Sequence, residues 1–216
     1  MRTPRFALLL LALVPLAAGL PAPAAAEDAA APAQRRWHVG VGTASSWRSD
    51  HDVFDREGLP PGDVAEVGRG GGVFFGRRFG DRVLGRVQVA YARHDLEGTP
   101  DTLADVEILV TGTVLFGADH PVHPFVRGGI GGGGQALEFA DGGGNLIAFG
   151  PAAIAGGGLH WRVGARLSLE WEAVATFTNF LQVNDETTGA RFGGDDWQVR
   201  GSNWGWRAGL GLAFWF

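Results

Sequence analysis

Hydrophobic residues occupy every second position over the last stretch of the chain. They are Trp204, Trp206, Ala208, Leu210, Leu212, Phe214 and Phe216. The alternate positions hold Gly205, Arg207, Gly209, Gly211 and Ala213. A period of two predicts a β-strand. A strand of about ten residues that is apolar on one side is typical of a membrane-crossing strand. Because a single strand would leave its backbone groups unpaired in lipid, we expect the rest of the chain to complete a closed barrel.

Seven earlier segments repeat this alternation. They predict strands at residues 37–47, 70–79, 83–94, 103–116 and 147–161, from 123 into the glycine run, and from 167 onward. The connections after the second, fourth and sixth strands are short, whereas the others are longer and contain Gly, Pro and acidic residues. The sequence therefore predicts an all-β fold, an eight-stranded antiparallel up-and-down transmembrane β-barrel with short periplasmic turns and long extracellular loops.

Aromatic residues fall at both ends of the predicted strands, as in the girdles of membrane barrels. At the short-turn end they are Trp37, Phe79, Phe116, Phe125, Trp161 and Phe216. At the loop end they are Trp47, Tyr91, Phe149, Phe177 and Trp204.

The first residues have the pattern of a secretory signal peptide. Arg2 and Arg5 precede an apolar run, and small residues end at Ala26. We expect a signal peptide at 1–26 that is cleaved near Ala26, a short disordered lead-in at 27–35, and one β-barrel domain at 36–216. No later stretch approaches the roughly 18 apolar residues of a spanning helix, which excludes a helical membrane protein.

The amino-acid composition limits the binding partners and the kinds of functional site that the protein can have. There is no cysteine, so disulfides and thiolate metal sites are excluded. The predicted signal peptide contains two arginines and no acidic residue, so its loss changes the net charge from −5 to −7. This sign argues against nucleic acid as a partner. All 18 basic residues are arginines, which a GC-rich genome explains more simply than a function does.

Three stretches, at residues 123–131, 156–162 and 210–216, carry a resemblance to a known family. Their pattern resembles the small eight-stranded outer-membrane β-barrels of the OmpA and OmpX type, and the resemblance covers nearly all of the chain after the predicted signal peptide. It implies a location in the outer membrane of a Gram-negative cell. It also implies that the barrel-assembly machinery recognises the last strand through Leu212, Phe214 and Phe216.

If the apolar rows face lipid, a set of polar and charged side chains points into the barrel. An eight-stranded barrel is just wide enough for side chains to fill it, and charges buried there have to pair. We expect a structural plug of arginine and carboxylate pairs, formed by Arg86, Gln88, Glu107, Arg127, Glu170, Glu172 and Arg207. Within it, we expect Arg207 to pair with the glutamates of the seventh strand, and His38 and His160 to be hydrogen-bonded fillers. The many glycines on the same face leave room and favour a conducting path instead.

Several patterns resemble catalytic or ligand sites without their usual context. Glu170 and Glu172 have the spacing of two carboxylates on one strand face, but pairing with arginine is the simpler interpretation. His120 and His123 have no further metal ligands nearby in sequence. No histidine has a serine two positions later, and no GxSxG motif occurs. We therefore predict a protein without enzymatic activity, cofactor or metal.

The leading hypothesis is an integral outer-membrane protein that supports the envelope or presents its loops for surface interactions. The expected partners are outer-membrane lipid, lipopolysaccharide and the barrel-assembly machinery, and the expected state is a monomer. Carboxylates in the loops could hold divalent cations that bridge to lipopolysaccharide. Two alternatives stay open: a narrow pore or small-hydrophobe channel of the OmpW type, and a soluble periplasmic barrel of the lipocalin kind, whose apolar rows would face inward.

Overall fold

The protein is built from antiparallel β-strands. The computed structural model describes residues 36–48, 67–96, 98–117, 120–140, 145–185, 188–189, 191–193 and 202–216. The strands are β1 (Trp37–Arg48), β2 (Val67–Phe79), β3 (Val83–Asp95), β4 (Thr102–Leu115), β5 (Val122–Glu138), β6 (Asn145–Arg162), β7 (Leu167–Asn179), β8 (Gln182–Asp185), β9 (Arg191–Gly193) and β10 (Ser202–Trp215). The predicted signal peptide and lead-in, residues 1–35, lie outside the described residues.

Eight of these strands close into a barrel. The order around the wall is β5, β4, β3, β2, β1, β10, β7 and β6, and β5 pairs with β6 to complete the ring. At the turn end, the amide of Trp37 donates to the carbonyl of Phe216 at 3.2 Å, and the amide of Phe216 donates to the carbonyl of Trp37 at 3.0 Å. The predicted fold is therefore confirmed. No helix long and apolar enough to cross a membrane is found among the described residues.

The two faces of the wall differ as the alternation predicts. The outward row is apolar and exposed, and Leu210 and Ile130 present 64% and 72% of their surface. The inward row contains buried polar residues and glycines, with Arg127 and Glu170 each only 3% exposed. Successive side chains of a strand point to opposite faces. Each long strand therefore places apolar side chains outside and polar side chains inside, which is the reverse of a soluble barrel.

The loop end contains structure that the alternation did not predict. Residues 179–202 were expected to be a loop, but β8 pairs with the first part of β6, from Leu146 to Phe149, and β9 pairs with β8. Strand β8 thereby continues along β6 after β7 has ended. A buried apolar cluster covers the interior beneath it, formed by Leu96, Leu103, Leu137, Ala148, Phe180 and Val183.

The prediction was wrong for one residue of the aromatic girdles. Phe125 is 3% exposed and packs inside the barrel against Leu84 and Leu115, so its assignment to the outer rim is wrong. It has the same parity on β5 as Arg127, which also points inward. Other girdle residues at the turn end, such as Phe79 and Phe216, are exposed on the outside.

Candidate functional site

The strands bring all seven sequence-predicted interior residues into one part of the barrel. Arg86 and Gln88 come from β3, Glu107 from β4, Arg127 from β5, Glu170 and Glu172 from β7, and Arg207 from β10. Each has the inward parity of its strand. Residues separated by as many as 100 positions in sequence are thus in direct contact.

Glu170 lies at the centre of this charge cluster. Its Oε2 accepts hydrogen bonds from Arg86 Nη1 at 2.8 Å and from Arg127 Nη2 at 2.9 Å. Its other oxygen, Oε1, lies 3.2 Å from His160 Nδ1. Two guanidinium groups therefore share one carboxylate that is almost completely excluded from solvent.

Glu172 and Glu107 complete the ion pairs. Glu172 Oε2 accepts from Arg127 Nη1 and, at 3.2 Å, from Arg86 Nη2. The sequence suggested that Arg207 pairs with the glutamates of β7. Its close partner is instead Glu107, at 2.7 Å, whereas Glu172 is 4.0 Å away.

The cluster is balanced in charge and its arginines have further contacts. Three arginines face three glutamates, so the formal charge of the set is zero. Arg86 lies 4.4 Å above the Phe74 ring, and Arg127 lies 4.6 Å above the Phe125 ring. Arg127 Nε also donates to Thr113 Oγ1 at 2.8 Å. Ion pairs offset the cost of burying these charges only when such additional contacts satisfy the remaining donors.

A layer of aromatic and histidine rings separates the cluster from the turn end. Trp215 lies between His38, at 4.5 Å between ring centroids, and His160, at 6.0 Å. His38 was expected to be a hydrogen-bonded filler, but neither of its ring nitrogens has a partner among the described residues. His123 bonds the carbonyl of Gly117 at 2.8 Å through Nδ1. Trp215 was not expected in the interior, although it has the same parity on its strand as Arg207.

The interior glycines make room for large neighbours. A Cβ on Gly40 would overlap the ring of Phe74, and a Cβ on Gly158 would lie 2.8 Å from Phe125. A Cβ on Gly76 would lie 2.6 Å from His38. At these positions, the space that the glycines leave is filled by rings from adjacent strands.

Two small cavities lie beside the charge cluster. One cavity of about 50 Å³ is lined by Arg86, Glu170 and Glu172 on one side and by glycines of β1, β2 and β10 on the other. A second, of about 40 Å³, lies towards the loop end beside Asp105 and Glu107. Each has room for a few water molecules. Both are lined by Ala90 and Arg207, so the Arg207–Glu107 pair lies where they approach each other.

Chemically, the cluster is a charge-balanced set of ion pairs that connects strands across the interior. The carboxylates of Glu170 and Glu172 are already occupied by arginines, and the adjoining cavities are too small for an organic substrate. Among the described residues, no group of three or more histidine, aspartate or glutamate side chains is placed to hold a metal ion. Leu212, Phe214 and Phe216 lie outside the barrel, on the exposed face of the closing strand. Their part in assembly stays a prediction.

Neither a protein-family model nor a curated protein matches this sequence. Solved structures do match it. Neisserial surface protein A is 14% identical with a TM-score of 0.52, over 83% of this chain and 97% of that chain. Ail, the attachment invasion locus protein of Yersinia pestis, is 14% identical with a TM-score of 0.48, over 83% and 99%. The N-terminal β-barrel domain of Pseudomonas aeruginosa OprF is 16% identical with a TM-score of 0.41, over 85% and 100%. At such identities the likeness concerns the fold, and the fold of this chain is that of the small eight-stranded outer-membrane β-barrels.

Proposed function

We propose that the protein is an integral outer-membrane β-barrel without enzymatic activity, whose sealed interior makes it a rigid anchor for loops on the cell surface. The observation that carries this proposal is the inverted distribution of polarity. The charged cluster around Glu170 is buried inside the wall, and the apolar row is exposed outside it.

The outer surface suits lipid. Val41, Val110 and Leu210 are more than half exposed, and similar residues continue around the wall. A patch of this extent is unfavourable in water but is the required surface within a bilayer. It also opposes the lipocalin-like alternative, which requires the apolar rows to face inward around a ligand.

The interior suits a structural role. The ion pairs connect opposite walls, and apolar residues fill the barrel towards both ends, with Leu84, Phe125 and Trp215 near the turns and Phe180 near the loops. An aqueous channel needs a continuous polar passage, whereas these layers interrupt it. The proposed partners remain outer-membrane lipid, lipopolysaccharide and the barrel-assembly machinery, with a monomer as the proposed state.

Electrical recording in planar bilayers, combined with membrane fractionation, tests this function. We expect the protein in the outer-membrane fraction and no steady conductance steps after reconstitution. Recovery in the soluble periplasmic fraction would overturn the membrane assignment. Steady steps from the unmodified protein would leave the membrane assignment intact and overturn the sealed interior.

A second candidate function is a narrow pore. The observation in its favour is that the two cavities share Arg207 and Ala90 as lining residues, so one side-chain movement would bring them closer to connection. The apolar layers at both ends favour the sealed barrel.

A further inference from the structure

The turn end of the barrel is rich in arginine and poor in side-chain carboxylates among the described residues. Six arginines lie there: Arg36, Arg77, Arg78, Arg82, Arg162 and Arg166. Within the described part of the chain, the side-chain carboxylate at this end is that of Asp81 alone, and Asp119 lies outside the described residues. We call these six residues the arginine collar.

The collar extends around the whole circumference. The carbonyl of Arg36 accepts from Arg78 between β1 and β2, and that of Arg82 accepts from Leu115 between β3 and β4. The amide of Arg162 donates to Pro121 beside β5, and the carbonyl of Arg166 accepts from Trp215 between β7 and β10. An arginine backbone thus closes each of these four seams, and the positive charge is spread around the rim.

Most of the collar is not neutralised by side-chain carboxylates of the described residues. Arg78 donates to the carbonyl of Asp81 at 2.8 Å and lies 3.6 Å from its carboxylate. Arg36, Arg82 and Arg166 are exposed and have no carboxylate partner in the ranges that the structure describes. These three guanidinium groups are available to an external anion.

The level of the collar indicates what that anion is. Arg77 lies 5.2 Å from the Trp37 ring and 5.6 Å from the Phe79 ring, both of which are exposed on the outer wall. Its Nε is buried without a hydrogen-bond partner among the described residues. Aromatic girdles mark the depth of lipid headgroups, so Arg77 lies where phosphate groups are found.

The loop end has the opposite charge in sequence. The connection at residues 49–66 contains six acidic residues and one arginine. The collar is therefore a feature of one end of the barrel and not of the whole surface.

We infer that the arginine collar binds the phosphate groups of anionic phospholipids in the leaflet that surrounds the turn end. This inference rests on the proposed membrane location. Arginine suits the role because its planar guanidinium group binds phosphate through two parallel hydrogen bonds. Arginines at girdle depth that are distributed over four seams fit several small headgroups better than one acidic protein, which would need a contiguous patch.

The test measures lipid retention by the refolded full chain. The protein in zwitterionic detergent is titrated with phosphatidylglycerol or phosphatidylcholine, and bound lipid is counted by native mass spectrometry. The test variant replaces Arg36, Arg82 and Arg166 with glutamine. The matched control carries Arg69→Gln and Arg93→Gln, two exposed arginines near the loop end. We expect the unmodified protein and the control to prefer phosphatidylglycerol, and the test variant to lose about fivefold in affinity per arginine.

Equal retention of phosphatidylglycerol by the test variant and the unmodified protein would overturn the inference, as would an equal loss in the control. Binding of an acidic peptidoglycan fragment by the collar without any lipid preference would also overturn it, because the partner would then be of another class. If the triple variant does not refold, two other measurements test the inference. We expect Arg166→Gln alone to weaken retention of phosphatidylglycerol, and we expect salt to weaken its retention by the unmodified protein. Failure of the unmodified protein to insert into phosphatidylcholine vesicles would instead contradict the proposed function.

Discussion

Arg86 on β3 and Glu170 on β7 connect opposite walls of the barrel, with Nη1 and Oε2 2.8 Å apart. Three strands lie between β3 and β7 in either direction around the ring. The pair is therefore a brace across the interior, and it acts independently of the hydrogen bonds that join neighbouring strands.

Removing the central charge is expected to weaken the barrel strongly. Glu170→Gln removes one of the two carboxylates that Arg86 and Arg127 share and leaves the cluster with an excess positive charge, and breaking a buried ion pair costs about 3 kcal/mol or more. Urea unfolding in phosphatidylcholine vesicles measures the change as a lower midpoint.

A matched control comes from an exposed pair. Arg93 and Glu138 lie 3.8 Å apart, with side chains 53% and 40% exposed. Glu138→Gln is expected to change stability by about 0.5 kcal/mol or less, because exposed pairs contribute little. Equal effects of the two substitutions would show that the buried cluster does not brace the wall.

A methyl group at Gly40 is expected to disrupt the packing of the interior. Gly40→Ala places a Cβ within the space of the Phe74 ring, and overpacking of this kind costs about 1–3 kcal/mol. The control is Gly211→Ala, since its nearest neighbours, including Phe74, would be at an ordinary 3.7 Å. If both variants refold with the same urea midpoint, the glycines are not needed for ring packing.

Loss of the Arg207–Glu107 pair is expected to open a path between the two cavities. A variant with Arg207→Ala and Glu107→Ala removes both side chains without leaving an unpaired charge. We expect the double variant to show no conductance steps in planar bilayers, because the apolar layers at both ends still interrupt the passage. Steady steps from the double variant, and not from the Glu138→Gln control, would show instead that the Arg207–Glu107 pair is the barrier.

Deletion of Phe216 is expected to impair assembly. The deletion removes both backbone hydrogen bonds between Phe216 and Trp37, which close the seam of β1 and β10 at the turn end. We expect lower amounts of protein in the outer membrane, measured by fractionation and immunoblotting. Phe79→Ala, which removes another exposed ring from the same rim, is the control, and normal levels of the truncated protein would contradict the prediction.

The sequence predicted the long strands well because alternation is a local property. The starts of β3, β5 and β7 follow short turns, and the outward parity of Val89 and Leu210 is evident without tertiary information. The six charged residues of the cluster share the inward parity of their strands. Phe125 was misassigned because its aromatic character was given more weight than its parity with Arg127.

What sequence reasoning missed depends on contacts across the interior. Arg207 selects Glu107 because of the positions of β10 and β4 across the barrel, which alternation along one strand does not specify. His38 has no polar partner in the described part of the chain, because the rings of Trp215 and Phe74 pack against it. Strand β8 is short and is defined by pairing with β6, so its own four residues carry little signal.

The fit of rings over glycines also selects the alignment of β1 with β2. His38 opposes Gly76, and Phe74 opposes Gly40. Sliding β2 by two residues keeps every side chain on its face, but it brings His38 opposite either Phe74 or Arg78. A glycine-rich strand such as β2 has little other means of rejecting a slipped partner. The contacts that fill the interior thus also exclude, by steric overlap, the two-residue slips of β2 against β1.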